Sequence, residues 1–304
     1  MTFAAVVVSY NRLPLLKKCL EALEGQSRPL DEIIVVDNGS TDGSADYVEE
    51  QHPNTTLFRT EKNVGGAGGF AWGVEIALAH GHQAAWLMDD DAEPELDAAE
   101  PLITAFEKLD EKPTFLASLV TAGRGVFNER NPPVVSTDAH RQTIAADHGG
   151  FAVQTATFVG VMVNLEVAAT MALPMSDYFI WMDDSEYTHR LSDRGLAMVL
   201  PSSMVNHPDS QPVSKDMGPR LFYFLRNRLW YVRSRTSPVS VDVLDFLGLV
   251  VHSIRQFPVA VNKRVWVSSV WRGFSQGIFS RPRTQAPGDL LAGISADRRE
   301  AIGC

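Results

Sequence analysis

The chain has 304 residues, of which 45% are hydrophobic and 21% are charged. This composition is typical of a globular protein with one large domain, or one domain and a smaller appendage. The net charge of -10 argues against general nucleic-acid binding, because such proteins usually carry a basic face. The two cysteines, Cys19 and Cys304, form neither a disulfide framework nor a CxxC metal pattern, which fits a reducing, cytoplasmic setting.

Short apolar runs alternate with helical patterns over the first ninety residues. A helical spacing of leucines follows the first run, and a helix from about residue 71 to 79 follows a glycine-rich segment. Continuous apolar strands separated by helices are typical of a sheet covered on both faces. We therefore predict a mostly parallel, doubly wound α/β sheet that begins with strands at residues 3–9, 32–37, 56–59 and 84–88.

The middle of the chain is less regular, and the last third changes character. We predict a long loop or small hairpin at residues 123–147 and a helix from about 183 to 193. Residues 239 to about 279 are predicted to be helical, with an interruption at Pro258. This pattern divides the chain into a main α/β domain, residues 1–217, and a C-terminal helical extension, residues 218–304. Further strands are predicted at residues 115–120, 156–163 and 197–200.

Charge is distributed unevenly along the chain. Residues 218 to 283 contain eleven Lys and Arg but two acidic residues, a net charge of +9, whereas the remainder carries 16 basic and 35 acidic residues. Aromatic residues are interleaved with the basic ones, which is typical of helices that lie in a membrane interface. A helical subdomain packed on the main domain is an equally good interpretation.

No apolar run is long enough to span a bilayer, and the N-terminus lacks the basic region of a signal peptide. We therefore expect a cytoplasmic protein that is peripheral at the inner face of the plasma membrane.

Polar residues follow several of the predicted strands. Ser9, Asp37 and the triplet Asp89, Asp90 and Asp91 all stand at strand ends, where open α/β sheets bind their ligands. Three adjacent carboxylates repel one another unless a cation compensates them, and carboxylate oxygens suit Mg²⁺ or Mn²⁺. Alternate residues of an extended segment point the same way, so Asp89 and Asp91 are predicted to share the ion. The alternative interpretation is a solvated acidic loop.

Asp37 and the glycine-rich segment suggest a nucleotide. An acid at the end of a strand in such a fold commonly contacts a ribose or base, although Asp37 is also a candidate helix cap. The glycines of residues 63–69 allow the backbone to approach a ligand closely. Their spacing matches neither a dinucleotide fingerprint nor a phosphate-binding Walker loop.

Later residues offer catalytic and ligand groups. Asp183, Asp184 and Glu186 follow Trp181 at a helix start, where the helix dipole keeps a carboxylate ionised as a base; an ordinary acidic first turn is the alternative. His207 is either a structural histidine or a further metal ligand. Arg226 and Arg228 could hold a diphosphate or an anionic lipid head group, or form a solvated face. These residues alone do not decide between the functional and the structural interpretation of each group.

Taken in order, these motifs resemble glycosyltransferase family 2, of the GT-A or nucleotide-diphospho-sugar transferase fold. Each motif is weak alone, but six in the order of the family are a specific signal. They are VVVSYNR at residues 6–12, VVDNGSTD at 35–42, NVGGAGG at 63–69, LMDDD at 87–91, WMDDSE at 181–186 and FYFLRN at 222–227.

Within the family, the motifs are similar to those of galactofuranosyl- and rhamnosyltransferases of cell-envelope polysaccharide synthesis. The resemblance implies an inverting, metal-dependent transfer of galactofuranose from UDP-galactofuranose, or of rhamnose from dTDP-rhamnose, to a lipid-linked saccharide acceptor. It implies Asp184 as the general base, with the acceptor bound by Trp181, Asp183 and Glu186. Mn²⁺ or Mg²⁺ would be held by Asp89, Asp91 and His207. The nucleotide sugar would be bound by Ser9, Arg12, Asp37, Asn63, Gly65, Gly66, Asp90 and Arg226.

Two other functions compete with a transferase. An inactive nucleotide-sugar-binding protein would share the donor site, although both acidic sets are present here. A nucleotidyltransferase would need a glycine-rich, basic loop after the first strand, where the chain has Arg12 but no glycine cluster. The oligomeric state stays open.

Overall fold

The computed structural model describes residues 1–123, 126–207, 215–235 and 239–304. Residues 124 and 125 of the predicted loop therefore lie outside the described part. The strands are β1 (Phe3–Ser9), β2 (Glu32–Asp37), β3 (Thr56–Arg59), β4 (Ala84–Asp89), β5 (Glu93–Pro94), β6 (Phe115–Thr121), β7 (Val134–Val135), β8 (Phe151–Thr155), β9 (Val161–Asn164) and β10 (Ala197–Asn206). The helices are α1 (Leu13–Glu24), α2 (Ser44–Gln51), α3 (Gly65–Ala79), α4 (Ala99–Lys108), α5 (Ala139–Asp147), α6 (Leu165–Ala168), α7 (Asp183–Ser192), α8 (Arg220–Ser234), α9 (Val239–Val259), α10 (Lys263–Phe279), α11 (Asp289–Ala292) and α12 (Ala296–Glu300).

The strands form one mixed sheet in the order β3-β2-β1-β4-β9-β6-β10-β8-β7. Strands β1 to β4 are mutually parallel where they pair, and β6 is parallel to β10, whereas β9 runs antiparallel between β4 and β6. Two apolar clusters lie on the two faces of β1, because Phe3, Ala5 and Val7 belong to one cluster and the alternating residues to the other. The predicted α/β class is confirmed, with a mixed sheet in place of the mostly parallel sheet that the sequence suggested.

The register brings the ends of three strands level. Ser9 pairs with Asp37 across β1 and β2, and Val8 pairs with Asp89 across β1 and β4. The polar groups that follow these strands therefore stand side by side at the carboxyl edge of the sheet.

The glycine-rich segment is helical, so the prediction that the helix begins near residue 71 was wrong. Helix α3 begins at Gly65, although glycine is an unfavourable helix residue by about 1 kcal/mol. Packing explains the difference, because a methyl group on Gly69 would lie 2.4 Å from a Val8 methyl and one on Gly73 would lie 2.1 Å from a Val6 methyl. These two glycines allow α3 to lie directly on β1.

The single strand predicted at residues 156–163 was also wrong. β8 ends at Thr155 and β9 begins at Val161, and the intervening residues form a loop at the carboxyl edge of the sheet. Gly160 makes the turn into β9 with a φ of +89°, a conformation that glycine adopts readily. The predicted loop at residues 123–147 contains β7 and α5, and β10 extends past Leu200 through a bulge to Asn206.

The C-terminal extension has two parts. Helices α8, α9 and α10 pack around a small leucine core of Leu221, Leu225, Leu229 and Leu249. No helix in the described ranges is long and apolar enough to cross a membrane. The second part, residues 281–304, returns across α3, and we call it the returning segment. Its backbone N–H groups at Gly288 and Leu291 donate to the buried Glu75 carboxylate of α3.

Candidate active site

A cleft of about 400 Å³ opens at the carboxyl edge of the sheet. One wall comes from the ends of β1 and β4 and the start of α3, and the opposite wall comes from the turn before α7. Polar and aromatic groups from both walls face this space, as expected for a site that binds a polar ligand. The lining residues include Ser9, Arg12, Asn38, Asn63, Gly65, Gly66, Asp89, Asp90, Asn131, Thr157, Phe158, Val159, Trp181, Asp183, Asp184 and His207.

Asp90 is held by protein groups. It accepts hydrogen bonds from the Ser9 hydroxyl at 2.9 Å and the Tyr10 N–H at 3.1 Å, and Arg12 lies 3.3 Å from its other oxygen. Burial raises the pKa of Asp90 to about 6, although Arg12 and Ser9 act in the opposite direction. Asp90 thus fastens the segment after β1 to the segment after β4. Its predicted donor contact stays a prediction.

Asp91 lies between Arg12 and His207. Arg12 Nη1 lies 2.6 Å from one carboxylate oxygen, and His207 Nε2 lies 3.2 Å from the other. Burial would raise the pKa of Asp91, but His207 and Arg12 lower it below its ordinary value. The backbone places His207 here, because its N–H donates to the Thr121 carbonyl at the end of β6. The structure therefore brings His207 and Asp91 together across more than a hundred residues.

Asp89 is the uncompensated member of the triplet. Burial and the like charges of Asp91, Asp90 and Asp183 raise its pKa well above the ordinary value. A divalent cation beside it would relieve this repulsion. Two carboxylates and an imidazole are ligands that suit Mn²⁺ or Mg²⁺, although the ligand atoms of Asp89, Asp91 and His207 do not all lie within 4.8 Å of one another. The assignment of these residues to a metal ion stays a prediction.

One wall of the cleft is built around the start of α3. Asn38 donates a side-chain hydrogen bond to the Gly65 carbonyl at 3.1 Å, and Asn63 accepts one from the Gly65 N–H at 2.7 Å. Asp37 lies behind this wall, where one oxygen accepts from the Ser40 N–H and the other is buried without a hydrogen-bond partner among the described residues. Helix α3 directs its positive N-terminal end at the cleft. The wall is therefore suited to negative charge.

Asp183 and Asp184 open α7 on the opposite wall. Burial and the charge of Asp184 raise the pKa of Asp183 to about 7, and burial raises the pKa of Asp184. Asp184 accepts hydrogen bonds through one oxygen from the N–H and hydroxyl of Ser185. A carboxyl with a raised pKa is a stronger base than an ordinary one. Asp184 therefore has the environment of a general base.

Glu186 and Trp181 differ in their access to the cleft. Trp181 lines it with its side chain 37% exposed. Glu186 lies on the buried face of α7, where one oxygen pairs with Arg190 at 2.7 Å and the other has no partner in the described part of the chain. Glu186 is thus placed to support the helix, and its predicted contact with an acceptor stays a prediction.

The turn that carries Trp181 has an unusual backbone. Phe179, Trp181 and Met182 all have φ near +65°, which costs roughly 1–3 kcal/mol for each such residue. The side chain of Asn227 on α8 offsets this cost, because its amide lies 2.7–3.0 Å from the carbonyl oxygens of Tyr178, Ile180 and Trp181. Asn227 thus holds the turn that carries Trp181 in place.

Arg226 serves the same turn. It is buried, and its guanidinium donates to the carbonyls of Asp177 and Tyr178 and to the side chain of Asn227. Burial lowers its pKa to about 10. The prediction that Arg226 could hold a diphosphate or lipid head group does not match this placement, because its donors face backbone oxygens and it does not line the cleft.

The sequence profile of glycosyl transferase family 2 matches residues 4–164, which is more than half of the chain. The chain belongs to this family. The prediction of a glycosyltransferase is therefore confirmed at the level of the family. The strand ends that line the cleft fall within the matched residues or at the end of β10.

Two sequence relatives and one solved structure give further likeness. Galactofuranosyltransferase GlfT1 of Mycobacterium tuberculosis is 33% identical over 207 residues, which cover 63% of this chain and just under two thirds, 65%, of the relative. N-acetylglucosaminyl-diphospho-decaprenol L-rhamnosyltransferase of the same organism is 24% identical over 247 residues, or 71% of this chain and 79% of the relative. The mannosyltransferase PcManGT of Pyrobaculum calidifontis, solved with GDP-Man and Mn²⁺, has a TM-score of 0.56 at 17% identity, over 99% of this chain and 82% of that one. This last likeness confirms the GT-A fold.

One part of the cleft was not predicted from the sequence. Thr157, Phe158 and Val159 form its floor, because the loop between β8 and β9 rises at the carboxyl edge. The only sequence signal was Gly160 inside an apolar run, since a lone glycine in a strand pattern often marks a bend. In the sequence, Asn227 stands out only as part of the FYFLRN motif. Its contacts with the turn could not be predicted, because that turn lies more than forty residues away.

Replacing Gly65 with alanine is expected to destabilise the protein by roughly 3 kcal/mol or more. Gly65 has a φ of +78°, and an added methyl would lie 2.1 Å from the Phe179 carbonyl oxygen. Gly66→Ala is the matched control, because its methyl would meet only Phe70 at 4.0 Å. Urea unfolding should show that the control is unchanged, or stabilised by up to about 1 kcal/mol. Equal stabilities of the two variants would contradict the close approach of α3 to the turn.

Replacing Asn227 with alanine is expected to cost roughly 2–3 kcal/mol, because three carbonyl groups lose their donor. The turn that carries Trp181 should loosen, so transfer should fall while nucleotide binding on the other wall persists. Arg228→Ala is the control, since Arg228 is the neighbouring exposed position on α8. Chemical unfolding and nucleotide titration check both statements. Normal stability of the Asn227 variant would show that the turn keeps its conformation without this side chain.

Proposed function

We propose that this protein is an inverting, metal-dependent glycosyltransferase that moves a sugar from a nucleotide donor to a saccharide acceptor. One observation carries the proposal. Asp89 and His207 line one wall of the cleft, with Asp91 in contact with His207 at 3.2 Å, and Asp184, whose pKa is raised by burial, lines the other wall. A donor diphosphate beside the first set and an acceptor hydroxyl beside Asp184 would place the anomeric carbon between them.

The proposed reaction is a single displacement. The Asp184 carboxylate accepts the proton of the acceptor hydroxyl, whose oxygen forms a bond to the anomeric carbon. The bond from that carbon to the phosphate oxygen breaks on the opposite side, and the nucleoside diphosphate leaves with the electron pair. The configuration at the anomeric carbon is therefore inverted. A bound Mn²⁺ or Mg²⁺ would supply Lewis-acid neutralisation of the leaving diphosphate.

The start of α3 and the end of β2 support nucleotide binding. The glycines at the cleft allow a close approach of the donor, and the dipole of α3 favours its phosphates. The buried, unpartnered oxygen of Asp37 is suited to a ribose or base donor group, because buried acceptors are normally paired. We assign Ser9, Arg12, Asn63, Gly65 and Gly66 to the same donor face.

We infer that the donor is UDP-galactofuranose. The higher identity, 33%, is to a galactofuranosyltransferase, and the lower, 24%, is to a rhamnosyltransferase. dTDP-rhamnose is therefore the second candidate donor. The name of the rhamnosyltransferase contains a diphospho-decaprenol saccharide, which supports a lipid-linked acceptor for this chain as well.

A thermal-shift panel of nucleotide sugars, with and without Mn²⁺, tests the donor. A ligand that binds only the folded protein at a hundred times its Kd stabilises it by about 2.7 kcal/mol, so UDP-galactofuranose should stand out and should need Mn²⁺. A larger shift with dTDP-rhamnose would overturn the donor assignment. A radiolabelled transfer assay then separates an enzyme from an inactive binding protein, and binding without transfer to any lipid-linked saccharide would contradict the proposal.

We further propose that helices α9 and α10 lie on an anionic membrane. In α9, a helix of 21 residues, only Leu249 and Ser253 are buried. Trp271 and Phe279 of α10 are 75% and 86% exposed, which is far more than isolated surface hydrophobics require. Lys263 and Arg264 border the shallow groove that Trp271 lines. This mixture of aromatic and cationic side chains suits the head-group region.

Vesicles that contain anionic lipid are expected to co-sediment the protein at low salt and to release it at high salt. The double variant Trp271→Ser, Val267→Ser should sediment several-fold less. Leu96→Ser is the matched control, because Leu96 is 66% exposed on the main domain, and it should bind normally. Self-association without vesicle binding would instead assign the apolar face to a second copy of the chain and contradict the membrane proposal.

A further inference from the structure

A group of side chains of the types that commonly bind metal ions lies at the opposite end of the sheet from the cleft. Glu32 opens β2, and His80 and His82 follow the end of α3; one ligand atom from each lies within 4.8 Å of the others. Asp37 stands five positions after Glu32 on β2, which corresponds to roughly 16 Å along the strand. The cluster is therefore independent of the active site and of the function proposed for it.

The contacts inside the cluster all converge on one carboxylate. His80 Nδ1 lies 3.0 Å from both oxygens of Glu32, and His82 Nε2 lies 2.5 Å from one of them. The three side chains are only 9–16% exposed, so bulk water does not screen them fully. Thr56 also donates a hydrogen bond to this carboxylate, at 2.5 Å. Three side chains thus contact the carboxylate of Glu32.

The outer contact of His80 is typical of a metal ligand. Its Nε2 lies 2.7 Å from the Ile302 carbonyl oxygen and must donate to it. Metal-bound histidines almost always donate their second ring N–H to a carbonyl or carboxylate in this way. Because Nε2 carries a proton, Nδ1 faces Glu32 either with a second proton or with a lone pair. A metal ion can take the place of that second proton.

The dimensions suit zinc. Tetrahedral zinc binds imidazole nitrogen at 2.0–2.1 Å, so neighbouring ligand atoms are roughly 3.3 Å apart. The nitrogen–oxygen distances of 2.5–3.0 Å in the cluster would need to open by less than about 1 Å. Two imidazoles and one carboxylate are a known zinc ligand set, which leaves the fourth position for water.

We propose that Glu32, His80 and His82 form a zinc site that fastens the returning segment to the main domain. Zinc at His80 Nδ1 fixes the tautomer that donates to Ile302. The side chain of Ile302 is 5% exposed in the core cluster that contains β1 and α3. The site thus joins the start of β2, the end of α3 and the end of the returning segment at one point.

The test uses the full chain with Asp89→Asn and Asp91→Asn, which disables the active-site ligands, and with Cys304→Ser, which removes the exposed thiol. We expect one equivalent of Zn²⁺ by isothermal titration, a Co²⁺ absorption spectrum of a four-coordinate ion that Zn²⁺ abolishes, and a higher Tm with Zn²⁺. His80→Gln or His82→Gln should weaken Zn²⁺ binding at least tenfold. His148→Gln, at an exposed histidine, should bind as the parent does.

Several results would overturn the proposal. Absence of a Co²⁺ spectrum or of Zn²⁺ binding in the parent would do so, and this readout does not depend on the folding of any histidine variant. Unchanged Zn²⁺ affinity in both glutamine variants would place the ion elsewhere. Zinc binding that leaves amide hydrogen exchange of residues 285–304 unchanged would refute the fastening of the returning segment.

Discussion

Replacement of Asp184 with asparagine is expected to lower kcat by roughly 10²–10⁴-fold, the usual contribution of a general base. Asparagine keeps the shape of the side chain and can still accept from the Ser185 N–H, but it cannot take the acceptor proton. Because the base acts mainly in the transition state, nucleotide affinity should stay within about threefold of the parent. Transfer kinetics and nucleotide titration measure the two effects separately.

Asp193→Asn is the matched control for this variant. Asp193 stands at the other end of α7 with a side chain that is 69% exposed, so the same loss of charge should leave transfer unchanged. Near-normal turnover of the Asp184 variant would exclude this residue as the base. Asp183→Asn would then become the variant to measure, since Asp183 is the neighbouring carboxyl in the cleft.

Replacement of Asp89 with asparagine should have opposite effects on activity and on stability. Transfer should fall at least a hundredfold, because the proposed cation loses an anionic ligand. The metal-free protein should gain thermal stability. A carboxyl whose pKa is raised by folding is ionised at a cost above its unfolded pKa, and the neutral side chain removes that cost. Metal titration, transfer assays and thermal unfolding in EDTA check the three statements.

The control for Asp89 is Asp97→Asn, at an exposed position after β5. It should change neither Mn²⁺ binding nor the Tm. A lower Tm of the metal-free Asp89 variant would show that the carboxylate is satisfied by protein groups. Undiminished Mn²⁺ binding would remove Asp89 from the metal site.

The residues at the strand ends could be predicted because their signal is local. Short apolar runs end in Ser9, Asp37 and Asp89, and parallel topology then places them along one edge. The different roles of the three aspartates could be predicted from the sequence only in part. Asp90 turned out to hold Ser9, Tyr10 and Arg12, contacts that depend on the register of two strands.

The misassigned elements share a physical cause. Local propensity disfavours a helix that begins with Gly65 and Gly66, but contact with β1 and with the turn at Phe179 admits only glycine at several positions of α3. The basic, aromatic pattern around Arg226 suggested a surface ligand, whereas the carbonyls of a distant turn require a buried donor. In each case a long-range contact overrides the local signal.

Helix α8 links the two surfaces of the molecule that we propose to be functional. Its Asn227 holds the turn that precedes Asp183 and Asp184, and its Leu225 and Leu229 pack against Gly273 and Gly277 of α10. If α10 rests on lipid, the general base stands at a fixed height above the bilayer. We therefore expect the enzyme to select acceptors by the distance between the lipid surface and their terminal sugar. Acceptors one sugar too short or too long should then be rejected because of their reach, even where their terminal sugar is correct.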